Sequence, residues 1–377
     1  MKKNLAVIGA SYLQLPLILR AREMGYTTHV FAWAADDVGE KAADHFYPIS
    51  ITEKERILEV CRQIGICGIC SIASDLAVVA VNYVADALGL PGNSPESTLL
   101  STNKHRMREA FARRGDPSPR SVLVESAAEL AALDLPFPLI VKPTDRSGSR
   151  GITKVLTPAE LPAAWEAARS QSLEGKALVE EFAEGKEYSV EHISFRGEHT
   201  FLALTEKFTT GAPHFIETGH REPARVPAET LAEIRRVVAH ALDTLEIRNG
   251  ASHAEIKIDG TGRIRLIEIG ARMGGDCIGS DLVRLSTGYD FVRMVIQTAC
   301  GEAPDFTRVC EPRPAEVRYV LTREDYEAFL RLRETEPERI LRVVEMHPER
   351  IGGTTDSSNR AGCYLCRAAE ESGEENG

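Results

Sequence analysis

The sequence predicts an α/β protein: an open, doubly wound parallel sheet over about the first hundred residues, then an α+β unit, then a small β-rich region. Two observations carry this reading. Up to Leu90, short apolar runs alternate with stretches of helical periodicity, the pattern of parallel strands joined by crossover helices. Further on, apolar strand runs come in pairs around the turns Arg196-Gly197-Glu198 and Asp259-Gly260-Thr261-Gly262, the pattern of hairpins.

The elements follow in order. Leu5-Ala6-Val7-Ile8 reads as a buried parallel strand closed by Gly9, and Leu13 to Met24 as a helix stopped by Gly25. Thr28 to Phe31 is a strand, Glu53 to Ile64 a helix, Ile66 to Ile72 a strand, and Leu76 to Leu88 a helix ended by Gly89. The first turn, Gly9-Ala10-Ser11-Tyr12-Leu13-Gln14, keeps only the first glycine of G-x-G-x-x-G. No acidic residue ends the second strand at Phe31-Ala32-Trp33-Ala34, so no nicotinamide dinucleotide site is expected. The layer is Rossmann-like without that ligand.

A break at Pro91-Gly92-Asn93-Ser94-Pro95 leads to a helix from Thr102 to Arg114, stopped at Gly115-Asp116-Pro117. Phe137 to Pro143 is a strand, followed by a Ser/Gly loop, a helix over 158–170 and a strand over 176–182. Tyr188 to Phe195 pairs with Thr200 to Phe208, and a helix over 228–245 precedes the hairpin of Ser252 to Ile258 with Arg263 to Ile269. The region past Pro312 is expected to be β-rich, and the acidic tail from Ala368 to be disordered.

Composition narrows the function classes. Hydrophobic residues make up 43% and charged residues 27% of 377, a soluble globular balance, and no apolar run nears the ~18 residues of a membrane span. The N-terminal stretch lacks a signal-peptide pattern, so a cytoplasmic protein is expected. A net charge of −11 without a basic cluster speaks against a nucleic-acid partner. Eight cysteines include the C-x-x-C pairs Cys67/Cys70 and Cys363/Cys366. Residues three apart on a strand face opposite sides, so both pairs are read as buried apolar side chains, not zinc ligands.

Four features carry chemistry. Lys104 opens a helix after the break. Lys142 sits inside an apolar strand, and Pro143 behind it holds it extended. The small residues from Ser147 to Gly151 allow backbone N–H groups to close over phosphate oxygens. The strand end Glu180-Glu181-Phe182-Ala183 is followed by Glu187. Finally, Glu255 and Glu268 lie in apolar strands on the two arms of the hairpin, with Arg272 four residues on. Register around the turn brings these carboxylates together, and like charges so close need a cation between them. Mg²⁺ fits two carboxylates plus phosphate oxygens. The alternative is pairing with Lys257, Arg263 or Arg265, which mostly fall on the other face.

In this order, over about residues 1–310, the set resembles that of the ATP-grasp ligases; Ser74-Asp75, Leu88 to Gly92 and Asn103-Lys104 are typical of their lead-in. The resemblance implies a Rossmann-like pre-ATP-grasp domain over 1–100 and a two-lobed α+β ATP-grasp fold over 101–310, with a lid subdomain over about 115–178. A C-terminal subdomain over 311–367 and a tail over 368–377 complete the chain. It implies that Lys104 and Lys142 bind ATP phosphates under a lid containing Ser147, Gly148 and Ser149. Glu180, Phe182 and Ala183 would meet adenine, Glu187 the ribose, and Glu255 and Glu268 Mg²⁺, with Mn²⁺ as a substitute. Arg272 and Lys142 would serve catalysis.

Within that superfamily the chain is most similar to carboxylate–amine ligases that include L-amino-acid ligases. The motifs are Phe215-Ile216-Glu217-Thr218-Gly219-His220, Glu268 to Asp276, and Asp356 to Gly362. They imply an amino-acid site at Glu217, His220 and Arg272. The biotin carboxylase pattern and the D-alanine–D-alanine ligase ending are absent. Gly270 stands where many members have a metal-binding Asn. The implied reaction joins a small carboxylate to an amine through an acyl phosphate, releasing ADP and phosphate, in a homodimer. A purine-pathway or carbamoyl-phosphate-type ligase and a non-catalytic nucleotide-binding module are the alternatives.

Overall fold

The computed structural model describes residues 3–146, 150–211, 216–354 and 359–369. The predicted loop residues Ser147, Gly148 and Ser149, the motif residues Phe215 and 356–358, and the tail from 370 lie outside them. Among the described residues, three sheets hold sixteen strands.

The first sheet contains β1 (Asn4–Ile8), β2 (Thr27–Ala32), β3 (His45–Pro48) and β4 (Gly68–Cys70), all parallel in the order β3-β2-β1-β4. β3 was not foreseen: its residues are half-buried to exposed and give no apolar run. The helix Asp75–Leu88 starts where Ser74 accepts from the Ala77 N–H, and ends at Gly89 in the left-handed region. The helix expected from Thr102 to Arg114 runs over Lys104–Arg114, and a helix that was not foreseen, Pro95–Thr102, precedes it. Asn103 separates the two because its side-chain oxygen accepts from the N–H groups of His105 and Arg106, with its backbone extended.

The second sheet contains β5 (Ser121–Val124), β6 (Leu139–Pro143), β7 (Thr153–Val155) and β8 (Ala177–Glu181), in the order β5-β8-β6-β7. The third contains β9 (Lys186–Phe195), β10 (Glu198–Thr209), β11 (Glu217–Glu222), β12 (Gly250–Ile258), β13 (Ile264–Gly270), β14 (Ala315–Val320), β15 (Ile340–Met346) and β16 (Gly362–Arg367). Its order is β13-β12-β9-β10-β11-β14-β16-β15. The expected β-rich C-terminal region therefore has no sheet of its own. β14 pairs antiparallel with β11, so the C-terminal strands extend the central sheet.

The helix Ala228–Thr244 buries Ile234, Val237, Val238, Ala241 and Leu242 against the apolar residues of β9, β12 and β13. The helix Phe291–Ala299 packs in one core with Leu5, Val7 and Cys70 of the first sheet and Ile193 and Ala251 of the third. That shared core fixes the C-terminal edge of the parallel sheet against the body of the molecule. All eight cysteines are free, and no helix among the described residues is long and apolar enough to cross a membrane.

Glu222, at the end of β11, is fully buried and accepts hydrogen bonds from Thr205 Oγ1 and Ser286 Oγ, both at 2.6 Å. Burial raises its pKa from 4.5 to about 7. Between these values the folded chain keeps a proton that the unfolded chain has lost. Stability is therefore expected to fall as pH rises from about 4.5 through about 7, and to stay lower above that. Urea denaturation of wild type and Glu222→Gln at pH 5 and pH 8 checks this. The wild type should lose ground to the variant at the higher pH, and an equal difference at both would refute it.

Candidate active site

A cleft opens between the second and third sheets. It is lined by Ile140 and Lys142 of β6, the β8 end from Glu180 to Ala183, Glu187 of β9, Lys207 of β10, Glu217 of β11, Glu255 of β12, and Glu268 and Gly270 of β13, with Arg272 beyond. The sequence-expected residues thus converge, with two qualifications. Ser147, Gly148 and Ser149 fall outside the described residues, and His220 lies behind the cleft wall.

Lys142 and Glu180 are diagonal neighbours on paired strands, since Lys142 opposes Leu178 and Glu180 opposes Ile140. The Lys142 ammonium is 2.6 Å from Glu180 Oε2, and Arg108 Nε is 2.8 Å from Oε1. Arg108 also donates to the Ile267 carbonyl at 2.6 Å. Burial opposes ionisation of Glu180, but Arg108 and Lys142 hold its pKa below the usual range. Burial also lowers the pKa of Lys142, against the pull of Glu180. The resemblance implies that the strand end from Glu180 to Ala183 offers backbone groups to adenine; the Glu180 side chain clamps the two cations. Arg108 was missed, although it lies four residues after Lys104 on the same helix face.

Glu255 and Glu268 are direct cross-strand partners in the β12–β13 register, with a bulge following Glu255. Their close ion-pair partners are Lys104 and Lys207. Lys104 donates to Glu268 Oε1 at 2.6 Å and to the Arg146 carbonyl at 2.7 Å. Lys207 lies 2.8 Å from Glu255 and 2.7 Å from Glu187. Burial opposes charge on Lys207, yet Glu187, Glu255 and Glu217 hold its pKa well above the ordinary value. Burial likewise disfavours a charged His253, but contacts with Glu191 and Glu255 raise its pKa to about 9. Glu255 is held ionised well below the usual range, against burial, by Lys207 and His253. Lys207 carried a readable signal, being a lysine within an apolar strand like Lys142; nothing near His253 or Glu191 announced them.

Arg272 makes a two-point ion pair with Asp75, Nε to Oδ1 at 2.8 Å and Nη2 to Oδ2 at 3.0 Å. Asp75 opens the helix after β4, so the N-terminal sheet reaches the cleft through it. This explains Gly270. A Cβ there would lie 2.7 Å from Asp75 Oδ1 and 3.1 Å from Arg272 Nε. A side chain at position 270 would therefore press on that pair.

Glu217 is held by Arg360, 2.8 Å from its Oε2, and Arg360 also reaches Asp276 Oδ2 at 3.1 Å. The Arg360 guanidinium lies over the Tyr319 ring, 3.7 Å from its centroid. His220 is 1% exposed, with Nε2 3.9 Å from Asp276. Burial lowers its pKa, against Asp276. Glu217 and His220 therefore belong to one cluster, joined through Arg360 and Asp276, and of the two only Glu217 faces the cleft. The apolar side of the cleft is made by Ile140, Ile152, Phe182 and Ile267. Phe182 carries Lys154 over its ring at 3.7 Å.

Among the described residues no group of three or more His, Cys, Asp or Glu could hold a metal ion by itself. The opposed pair Glu255 and Glu268 fits Mg²⁺, which takes one or two carboxylates and completes its shell from water and substrate phosphates.

Residues 135–281 match the family model described as ATP-grasp domain. D-alanine–D-alanine ligase of Ectopseudomonas mendocina is 30% identical over 227 residues, covering 56% of this chain and 69% of that protein. The chain belongs to the ATP-grasp family.

Carnosine synthase 1 of Gallus gallus is 27% identical over 343 residues, covering 83% of this chain; the chain spans only 36% of that protein's length. Among solved structures, L-amino acid ligase from Bacillus licheniformis superposes with a TM-score of 0.81 at 26% identity, covering 98% of this chain and 94% of that one. N5-carboxyaminoimidazole synthetase from Staphylococcus aureus, solved with ADP, shares the fold at 17% identity and a TM-score of 0.77, covering 98% and 95%.

Removing the Glu180 carboxylate leaves two cations buried without a counter-charge. Glu180→Ala is expected to cost about 3–5 kcal/mol of stability, measured by chemical denaturation. A loss below about 1 kcal/mol would show that the cluster is not a dry one.

Proposed function

We propose that the chain is an ATP-dependent carboxylate–amine ligase, acting on an amino acid and releasing ADP and phosphate. The observation that carries this is the cleft itself. Cations at Lys104, Lys142 and Arg272 face an opposed carboxylate pair, beside an apolar slot of Ile140, Ile152, Phe182 and Ile267.

Lys104 and Lys142 would take the phosphate chain, and Phe182 and Ala183 would meet the base. Glu187 would face the ribose. On nucleotide binding Lys104 and Lys207 turn from their carboxylates toward phosphate oxygens, which frees Glu268 and Glu255 for a divalent cation. Glu255 and Glu268 would hold Mg²⁺, which when bound neutralises phosphate charge and polarises the phosphoryl group. The substrate carboxylate attacks the γ-phosphorus, the bond to the β-phosphate oxygen breaks, and ADP leaves. An amine then attacks the acyl carbon and phosphate leaves. Arg272, aimed by Asp75, would stabilise the charge that develops on the phosphoryl and acyl oxygens. Glu217, aimed by Arg360, would accept hydrogen bonds from a substrate ammonium, with His220 as a buried support.

The relatives support this reading because those named in both comparisons include ligases of amino acids. A screen of ADP release against pooled amino acids and small carboxylates, with mass detection of the product, is the test. An amide with stoichiometric ADP is expected, and Lys142→Ala should reduce turnover at least a thousandfold, roughly 4 kcal/mol of transition-state stabilisation. Full ADP release by that variant would refute the assignment. Turnover with a phosphorylated or carbonate substrate alone would favour the purine-pathway type.

A further inference from the structure

Cys67 and Cys300 are 233 positions apart in the chain, yet their sulfurs are 3.8 Å apart. Cys67 leads into β4, and Cys300 caps the helix Phe291–Ala299. Their approach depends on Gly68. A Cβ there would lie 2.8 Å from Cys300 Sγ and 2.7 Å from the Ala299 carbonyl. The sequence reading makes Cys67 a buried apolar side chain; in the fold it is half-buried and lies against Cys300.

The two thiols are half-buried, whereas Cys61, Cys70, Cys277, Cys363 and Cys366 are buried and Cys310 is exposed. An open depression lined by Lys3, Tyr26, Gln297 and Glu302 adjoins them. Lys3 is 3.1 Å from Glu302. The hydrogen bond from Cys300, aided by Lys3, lowers the Cys67 pKa to about 7 against its burial. The same hydrogen bond raises that of Cys300. Cys67 Sγ also lies 3.1 Å from the Asn4 carbonyl; within the pair, Cys67 is the more readily ionised thiol.

We propose that Cys67 and Cys300 form a thiol–disulfide site that a hydroperoxide oxidises. The Cys67 thiolate attacks the O–O bond of hydrogen peroxide, forming a sulfenic acid; the hydroxide released takes up a proton and leaves as water. Cys300 sulfur then attacks the sulfenic sulfur, a second water leaves, and the S–S bond forms. Two thiols and one peroxide give one disulfide and two waters. To form the bond the sulfurs close from 3.8 Å to the ~2.05 Å of a disulfide. The bond staples the N-terminal sheet to the helix that packs it against the body, and closes a loop long enough to restrict the unfolded chain strongly. None of these residues lines the cleft, so the proposal stands apart from the ligase reading.

The reduced full-length protein is treated with stoichiometric hydrogen peroxide, alkylated, and mapped by mass spectrometry without reductant. The expected main product is two hydrogens lighter, with the Cys67 and Cys300 peptides joined, and dithiothreitol reverses it. Thermal midpoint should rise by several degrees on oxidation, and Cys67→Ser and Cys300→Ser should each lose both the cross-link and the rise. The proposal fails if both cysteines remain alkylatable after Cys310 has been consumed. It fails equally if Cys67 stops at sulfinic acid, or if the linked peptides are any other pair.

Discussion

Lys142, Glu180 and Arg108 are 4%, 3% and 4% exposed, so three ionised groups have been taken out of water together. Such a transfer is tolerable only when each charge meets its counter-charge at contact distance, because an uncompensated ion costs several kcal/mol. The architecture around the cleft follows from that demand. β6 and β8 must pair in the register that places Lys142 diagonal to Glu180. The helix Lys104–Arg114 must lie where Arg108 reaches both Glu180 and the Ile267 carbonyl of β13. One ion cluster thereby ties the second sheet, a helix and the third sheet into one wall.

The same logic extends outward. Glu255 and Glu268 oppose each other on neighbouring strands, and a cation is needed on each side: Lys207 for one, Lys104 for the other. These pairs are less buried than Lys142–Glu180 and face the cleft, so they are the ones a triphosphate and a divalent ion can exchange. Asp75 does for Arg272 what Glu180 does for Lys142, but from the first sheet. The bare backbone at Gly270 is the space that this long-range pair occupies.

Much of this was legible before the structure. A lysine inside the apolar strand Leu139–Pro143 marked Lys142. The turn Asp259–Gly262 set the hairpin register that pairs Glu255 with Glu268. What stayed hidden was partner choice, since partners come from distant segments. Arg263, a candidate for the carboxylates, is 3.1 Å from Asp259 in its own turn, and Lys257 lies near the Phe182 ring. Asp75 is 197 positions from Arg272, and no local pattern links them. The split at Asn103 was readable in principle, as an Asn just before a helix is a capping signal.

Calorimetric titration of ADP, with and without Mg²⁺, bears most directly on the central claim that Glu255 and Glu268 give up their lysines for a divalent cation as nucleotide binds. Mg²⁺ should tighten ADP binding to the wild-type chain. In a chain carrying both Glu255→Gln and Glu268→Gln, ADP should still bind, with an affinity that Mg²⁺ no longer changes. Undiminished tightening by Mg²⁺ in that variant would contradict the claim.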